Sequence, residues 1–248
     1  MHPPRQTRQP RARRVTRRVV AAFPVRRVRR AAAVSSRVCL VVAGATLIGT
    51  GAAVTLWTGL GAGPMDVLTA SINARSGLAL PFVVWIVAGT LMAVATLIGR
   101  RPGLGTFLSP LIVGPVIGAV RSLLDTVPAP VHLGSAVAWH LAGVATIGLG
   151  AGALIVAGLG TGTGELLAGA TARRTGRREH HIRAGFEVTW LTIGMLLGGP
   201  VGFGTVIVAI LIGPAVANGS RVVDRATSRP VSRIRAAWAT DNEFATAA

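Results

Sequence analysis

Two glycine-rich turns, each followed by an acid, are where the types and spacing of residues best suit chemistry. Gly59-Leu60-Gly61-Ala62-Gly63 runs into Asp66, and Gly158-Leu159-Gly160-Thr161-Gly162 runs into Glu165. Closely spaced glycines let a helix stop and its backbone turn while a second helix approaches. The acid then falls in the first turn of the next helix, where the helix dipole favours a negative charge. Two readings follow. In one, the broken segments form a site for a solute or ion, with Asp66, Glu165 and the six glycines (Gly59, Gly61, Gly63, Gly158, Gly160 and Gly162) as candidate binding residues. In the other, both turns only pack two helices, and the acids are ordinary helix-start residues. A phosphate loop is excluded, because nothing like a strand precedes the glycines and the chain has no lysine.

A second constellation lies in an apolar stretch. Glu187 is the single acid between residues 184 and 220, and Arg183 stands one helical turn before it, close enough for an i,i+4 ion pair. A carboxylate in hydrocarbon marks a cavity, a partner or a proton site; one held by Arg183 near the interface would only orient the helix. His180-His181 beside Glu179 suggests a metal, but adjacent side chains on a helix diverge, so a solvated loop is the expectation. His140 reads as a helix–helix hydrogen-bond donor. Cys39, the one cysteine, rules out an intramolecular disulfide and a thiolate metal cluster. No Ser-His-Asp or paired-acid spacing supports catalysis, so the expectation is a protein that is not an enzyme and carries no metal and no cofactor.

The elements that must position these residues are apolar helices. Hydrophobic residues are 51% of the 248 and charged ones only 14%. Residues 38–58, 79–99 and 133–157 are uncharged runs of 21, 21 and 25, each long enough to cross a hydrocarbon layer of ~30 Å. Residues 102–120 supply another span, and 184–220, broken at Gly198-Gly199-Pro200, supplies two more. The formal net charge of +18 comes from arginine alone, and 12 arginines fall in residues 1–37 among four prolines. That arm should be disordered and drawn to anionic lipid headgroups rather than to nucleic acid. Its arginines also interrupt anything resembling a cleavable signal peptide.

Residues 49–115 align without a gap on 148–214, at an offset of 99. Besides the glycine turns, Asp66 meets Glu165, Arg75-Ser76-Gly77 meets Arg174-Thr175-Gly176, and Gly114-Pro115 meets Gly213-Pro214. Each half thus has three spans, with a short polar segment (64–77 or 163–176) of interfacial or re-entrant type after the first. Three is odd, so the second half enters the membrane inverted. Arginine placement agrees: with the N-terminus inside, the cytoplasmic segments hold 24 arginines and the outer ones only Arg75 and Arg121. The expectation is an all-α, polytopic membrane protein of six spans in two inverted three-helix repeats. Its parts are a basic arm (1–37), a first repeat (38–124), a second repeat (133–220) and a cytoplasmic tail (221–248).

Gly59-Leu60-Gly61-Ala62-Gly63-Pro64-Met65-Asp66-Val67-Leu68 resembles the signature after the first span of the YczE/YyaS/YitT-like membrane proteins. Arg101-Pro102-Gly103-Leu104-Gly105-Thr106 and Arg183-x3-Glu187 followed by Leu196-Leu197-Gly198-Gly199 are similar to that family too. The second half departs from the pattern, with Thr163-Gly164-Glu165 where the first has Pro64-Met65-Asp66. The resemblance covers about residues 38–220 and implies a bacterial cytoplasmic-membrane protein of unassigned biochemistry. Both termini would be cytoplasmic, and a homo-oligomer is compatible with it. Inverted repeats with broken segments favour a transporter- or channel-like protein for a small solute or ion; a scaffold or accessory factor for a partner enzyme is the alternative.

The topology has a direct test. In a Cys39→Ala background, a cysteine at Thr126 should react with an impermeant thiol reagent added outside cells, and one at Thr175 only after permeabilisation. Labelling of Thr175 from outside would place both short segments on one side and sink the inversion.

Overall fold

A computed structural model describes residues 23–227, and every element among them is an α-helix. In chain order these are α1 (Phe23–Trp57), α2 (Pro64–Ser76), α3 (Leu80–Leu97), α4 (Leu104–Leu124), α5 (Leu133–Ala157), α6 (Thr163–Thr175), α7 (Glu179–Leu196) and α8 (Phe203–Thr227). The described residues from Ser36 to Thr227 form one compact unit, and the opening of α1, from Phe23 to Ser35, belongs to a second. That opening is helical from Phe23, inside the arm the sequence marks as disordered, while 1–22 and the tail beyond Thr227 lie outside the described residues.

Among the described residues, five helical segments are long and apolar enough to cross a membrane: Val34–Trp57, Leu80–Leu97, Leu104–Leu124, Leu133–Ala157 and Phe203–Thr227. The expected sixth, α7, is helical over 18 residues. It falls outside this set because Glu179, Arg183 and Glu187 make its first half polar.

The 99-residue offset persists in the backbone. Helices α6 and α7 start and end 99 residues after α2 and α3. The glycines of positive φ pair in the same way: Gly59 with Gly158, Gly61 with Gly160, Gly77 with Gly176 and Gly99 with Gly198. Gly77 and Gly176 end their short helices in nearly the same left-handed conformation, φ +67° and +68°, which an L side chain adopts only under strain.

Packing interlocks the halves through small residues. Helices α1 and α5 cross antiparallel: a methyl on Gly44 would stand 2.7 Å from the Gly150 carbonyl oxygen, and one on Gly51 would stand 2.5 Å from that of Gly143. Gly44 and Gly143 are matched positions, as are Gly51 and Gly150, so each contact repeats with the halves exchanged. Each short helix also packs on the third helix of the other half. Gly194 of α7 lies against Val67 and Leu68 of α2, and Ala95 of α3 clusters with Leu166, Leu167 and Ala170 of α6. Close backbone approach between small residues is how helices associate where water supplies no hydrophobic drive. The outward faces carry exposed Phe82, Ile86, Leu97, Val206 and Ile210, as a lipid-facing surface requires.

The α5–α8 seam predicts an asymmetry between glycines. A methyl added at Gly152 would fall on the backbone of Gly219 and Ser220, whereas one at Gly89 meets nothing within 4 Å. Gly152→Ala should destabilise the purified protein by ~1–3 kcal/mol. Gly89→Ala should be neutral, or stabilising by up to ~1 kcal/mol through helix propensity. Thermal unfolding in detergent distinguishes them, and equal melting temperatures would show that the seam tolerates expansion.

Candidate functional site

The two glycine turns are elbows in which the helix ends, the chain unwinds for a few residues, and a short helix begins. Trp57 ends α1 and Pro64 opens α2, with Gly59 at φ +69° and Gly61 at φ +111° between them. Ala157 ends α5 and Thr163 opens α6, with Gly158 at +62° and Gly160 at +149°. Unwinding frees carbonyls, and each elbow gives one to a helix start in the other half. The Gly204 N–H of α8 donates to Leu60 O at 2.7 Å, and the Gly105 N–H of α4 donates to Leu159 O at 2.8 Å. The Thr106 hydroxyl adds a bond to Thr161 O at 2.6 Å. Gly61 and Gly160 have to be glycine for this closeness, since a methyl on either would stand 2.5 Å from the hydroxyl of Thr205 or Thr106.

Asp66 and Glu165 occupy the third position of α2 and α6, and each carboxylate turns back towards the glycine that precedes its helix, Gly63 or Gly162. Beyond that the halves differ. Arg183 lies 3.2 Å from Glu165 and 2.9 Å from Glu187, so one guanidinium holds two carboxylates. The positions matching Arg183 and Glu187 in the first half are Val84 and Ala88, which offer Asp66 no cation. Desolvation by burial raises the Asp66 pKa from the ordinary 3.8 to about 6. The starts of the short helices are near one another, with the Met65 methyl 3.8 Å from the Cβ position of Gly164. Trp190, stacked on Phe186 at 5.9 Å, also covers Gly164. The structure therefore gathers Glu165, Arg183 and Glu187, and no described hydrogen bond or ion pair joins Asp66 to them.

The structure departs from expectation at one pair of histidines and agrees with it at a third histidine. The His180 and His181 rings do not diverge; their centroids are 3.9 Å apart in the first turn of α7. Among the described residues, no group of three or more His, Cys, Asp or Glu could hold a metal ion. His140, fully buried, ties three elements together: Nε2 donates to Gly204 O at 3.1 Å, and Nδ1 lies 3.0 Å from the Thr58 hydroxyl. This is the helix–helix donor role expected of His140, and the offset does not repeat it, since the matching residue is Val41. Arg100 packs over Gly169 beside Glu179; burial and then Arg173 lower its pKa, and Glu179 partly offsets them.

An all-helical chain of long apolar spans joined by unwound, interlocked elbows defines a multi-pass membrane protein. Residues 35–220 match a family of unknown function, DUF6198, and the chain belongs to that family. It is 31% identical over 173 residues to the uncharacterized membrane protein YczE of Bacillus subtilis (strain 168), covering 69% of this chain and 79% of that protein. It is 26% identical over 188 residues to an uncharacterized protein of Haemophilus influenzae, covering 76% and 85% of the two chains. No solved structure matches it.

The unpaired acid sets a pH dependence. An acid whose pKa is raised by folding binds its proton more tightly folded than unfolded. Its contribution is most favourable below 3.8, is lost as pH rises towards about 6, and is constant above that. The melting temperature of Asp66→Asn should therefore gain on that of the wild type between pH 4 and 6, and the gap should level off by about pH 7. A gap independent of pH would mean that Asp66 carries no raised pKa.

Proposed function

We propose that this chain is a small transporter- or channel-like protein of the bacterial cytoplasmic membrane, with six spans in two inverted halves and a solute or ion site at the glycine elbows. Both termini are cytoplasmic in this reading, and α7 is the sixth span, its Arg183 neutralised by Glu165 and Glu187 near the interface. The observation that carries the proposal is the reciprocal pair of elbows. Each breaks a helix where the halves meet and places an acid in the first turn beyond the break, an arrangement used by transporters built from inverted repeats. The arginine-rich ends would hold the orientation and attract anionic headgroups.

One observation favours the rival reading, a non-transporting scaffold: the first elbow is filled with protein. Gly61, Ala62 and Gly63 are buried, and the clefts of ≈ 580 and ≈ 470 Å³ lie elsewhere, around Arg121 and Asp125. Metabolite and ion profiling of a deletion strain would nominate solutes, and uptake by reconstituted vesicles would test them. Asp66→Asn and Glu165→Gln should each cut uptake by about tenfold or more, equivalent to ~1.4 kcal/mol, without a matching fall in melting temperature. Full complementation by both neutral variants would remove the acids from function and leave the scaffold reading.

A further inference from the structure

We propose that the cleft around Arg121 and Asp125 binds the headgroup of a zwitterionic phospholipid that carries a primary amine. The cleft is open, has a volume of ≈ 580 Å³, and lies between the end of α2, the start of α3 and the end of α4. A neighbouring cleft of ≈ 470 Å³ shares Arg121 and Asp125 and runs along Trp57 and residues 126–129. The pair thus stands between two concave surfaces.

Its depth in the membrane follows from the aromatic residues. Trp57 ends α1 and meets Trp139 of α5 edge-on, with ring centroids 6.0 Å apart. Its indole N–H donates to Val127 O at 3.4 Å, in the loop after α4. Tryptophans at the ends of apolar helices sit at headgroup level, with the ring in the apolar boundary and the N–H towards water. Leu80, Pro81, Pro115 and Gly118 give the cleft an apolar wall, suited to the glycerol and upper acyl region beneath a headgroup.

The polar inventory selects the headgroup. Arg121 Nη2 lies 3.0 Å from Asp125 Oδ1, which leaves most of the guanidinium donors and Asp125 Oδ2 for a ligand. Arginine donors fit the oxygens of a phosphodiester. The Asn73 amide N–H₂ donates to Leu78 O, and the Ser122 hydroxyl donates to Gly118 O. Asn73 Oδ1 and Ser122 Oγ keep acceptor capacity on the cleft lining, beside the Asp125 carboxylate. One cationic donor group and the second Asn73 N–H, beside three acceptors, match a phosphate joined to an ammonium that has N–H bonds to give. A quaternary ammonium has none and is recognised by aromatic cages, and no aromatic residue lines the larger cleft. The duplication does not repeat this site, because Ser220 stands where Arg121 has its match. One lipid per chain is expected.

Native mass spectrometry of the delipidated full chain provides the test, using phosphatidylethanolamine, phosphatidylcholine and phosphatidylglycerol with identical acyl chains. The wild type should hold one phosphatidylethanolamine with about threefold preference over the other two, the effect expected of a partly exposed charge contact. Asp125→Asn should erase the preference, and Arg121→Gln should weaken all three lipids. If Arg121→Gln does not fold, the Asp125→Asn comparison decides alone. Equal occupancy by the three lipids in the wild type, or an unchanged preference in Asp125→Asn, would overturn the proposal. Soluble phosphoethanolamine is the remaining arm: failure to displace the lipid at millimolar concentration supports a lipid site, and displacement at the lipid's own concentration reassigns the cleft to a free zwitterion.

Discussion

Helix starts carry backbone N–H groups with no partner inside the helix, and an apolar environment makes an unmet donor costly. In this chain two of those donors, at Gly105 and Gly204, are met by the carbonyls of Leu159 and Leu60. The requirement runs in both directions, since the unwound elbows have carbonyls that need donors as much as the helix starts need acceptors. Each half thereby completes the other, and neither elbow can be straightened or removed without orphaning a group across the interface. The glycines follow from this constraint. Gly103 and Gly202 pack directly on Leu159 and Leu60, and Gly61 and Gly160 pack on the threonines that follow. The antiparallel crossing of α1 and α5 brings the elbows into reach of these helix starts.

This framework is legible in the sequence because backbone geometry writes itself in glycine and proline. Positive-φ positions and close helix approaches tolerate few other residues, so the offset of 99 that aligns Gly59 with Gly158 also aligns their conformations. The Arg183–Glu187 pair is legible for a similar reason, because i,i+4 spacing on a helix is local geometry. Contacts that depend on how distant elements meet were not legible. Glu165 joins Arg183 only once α6 lies on α7, and His140 reaches Thr58 and Gly204 only once α5 docks between the elbow and α8. The cleft at Arg121 was equally hidden, since it exists only where the ends of three helices come together.

Charge in α7 shows how packing changes what composition implies. By composition the helix is the poorest candidate for a span, with Glu179, Arg183 and Glu187 in its first half. In the fold, two of those charges neutralise each other and the third group of the triad arrives from α6. An acid in hydrocarbon is tolerated when it has a partner, and the cost falls further near a helix end where long side chains reach the interface. The remaining half of α7 is apolar and packs Gly194 against α2. The absence of α7 from the set of apolar spans therefore reflects its polar ion-paired half, and the six-span proposal turns on whether that half sits at the interface.

The duplication keeps the backbone of the two halves alike and lets their acids diverge, and this divergence bears most on function. Glu165 has the Arg183 guanidinium 3.2 Å away as its partner. Asp66 occupies the equivalent place with Val84 where the arginine would be, and burial brings its pKa to about 6. A carboxyl in that state changes charge about two pH units above an ordinary aspartate. Two equivalent acids therefore differ in their neighbours, one beside a guanidinium and the other with Val84 at the matching position. On the transport reading, that difference supplies a direction which two identical halves related by inversion would lack. On the scaffold reading it has no such role, and Asp66 is simply a helix-start acid whose burial costs stability. The neutral variant separates these readings because it removes the titration and leaves the elbow, its glycines and its cross-half hydrogen bonds in place.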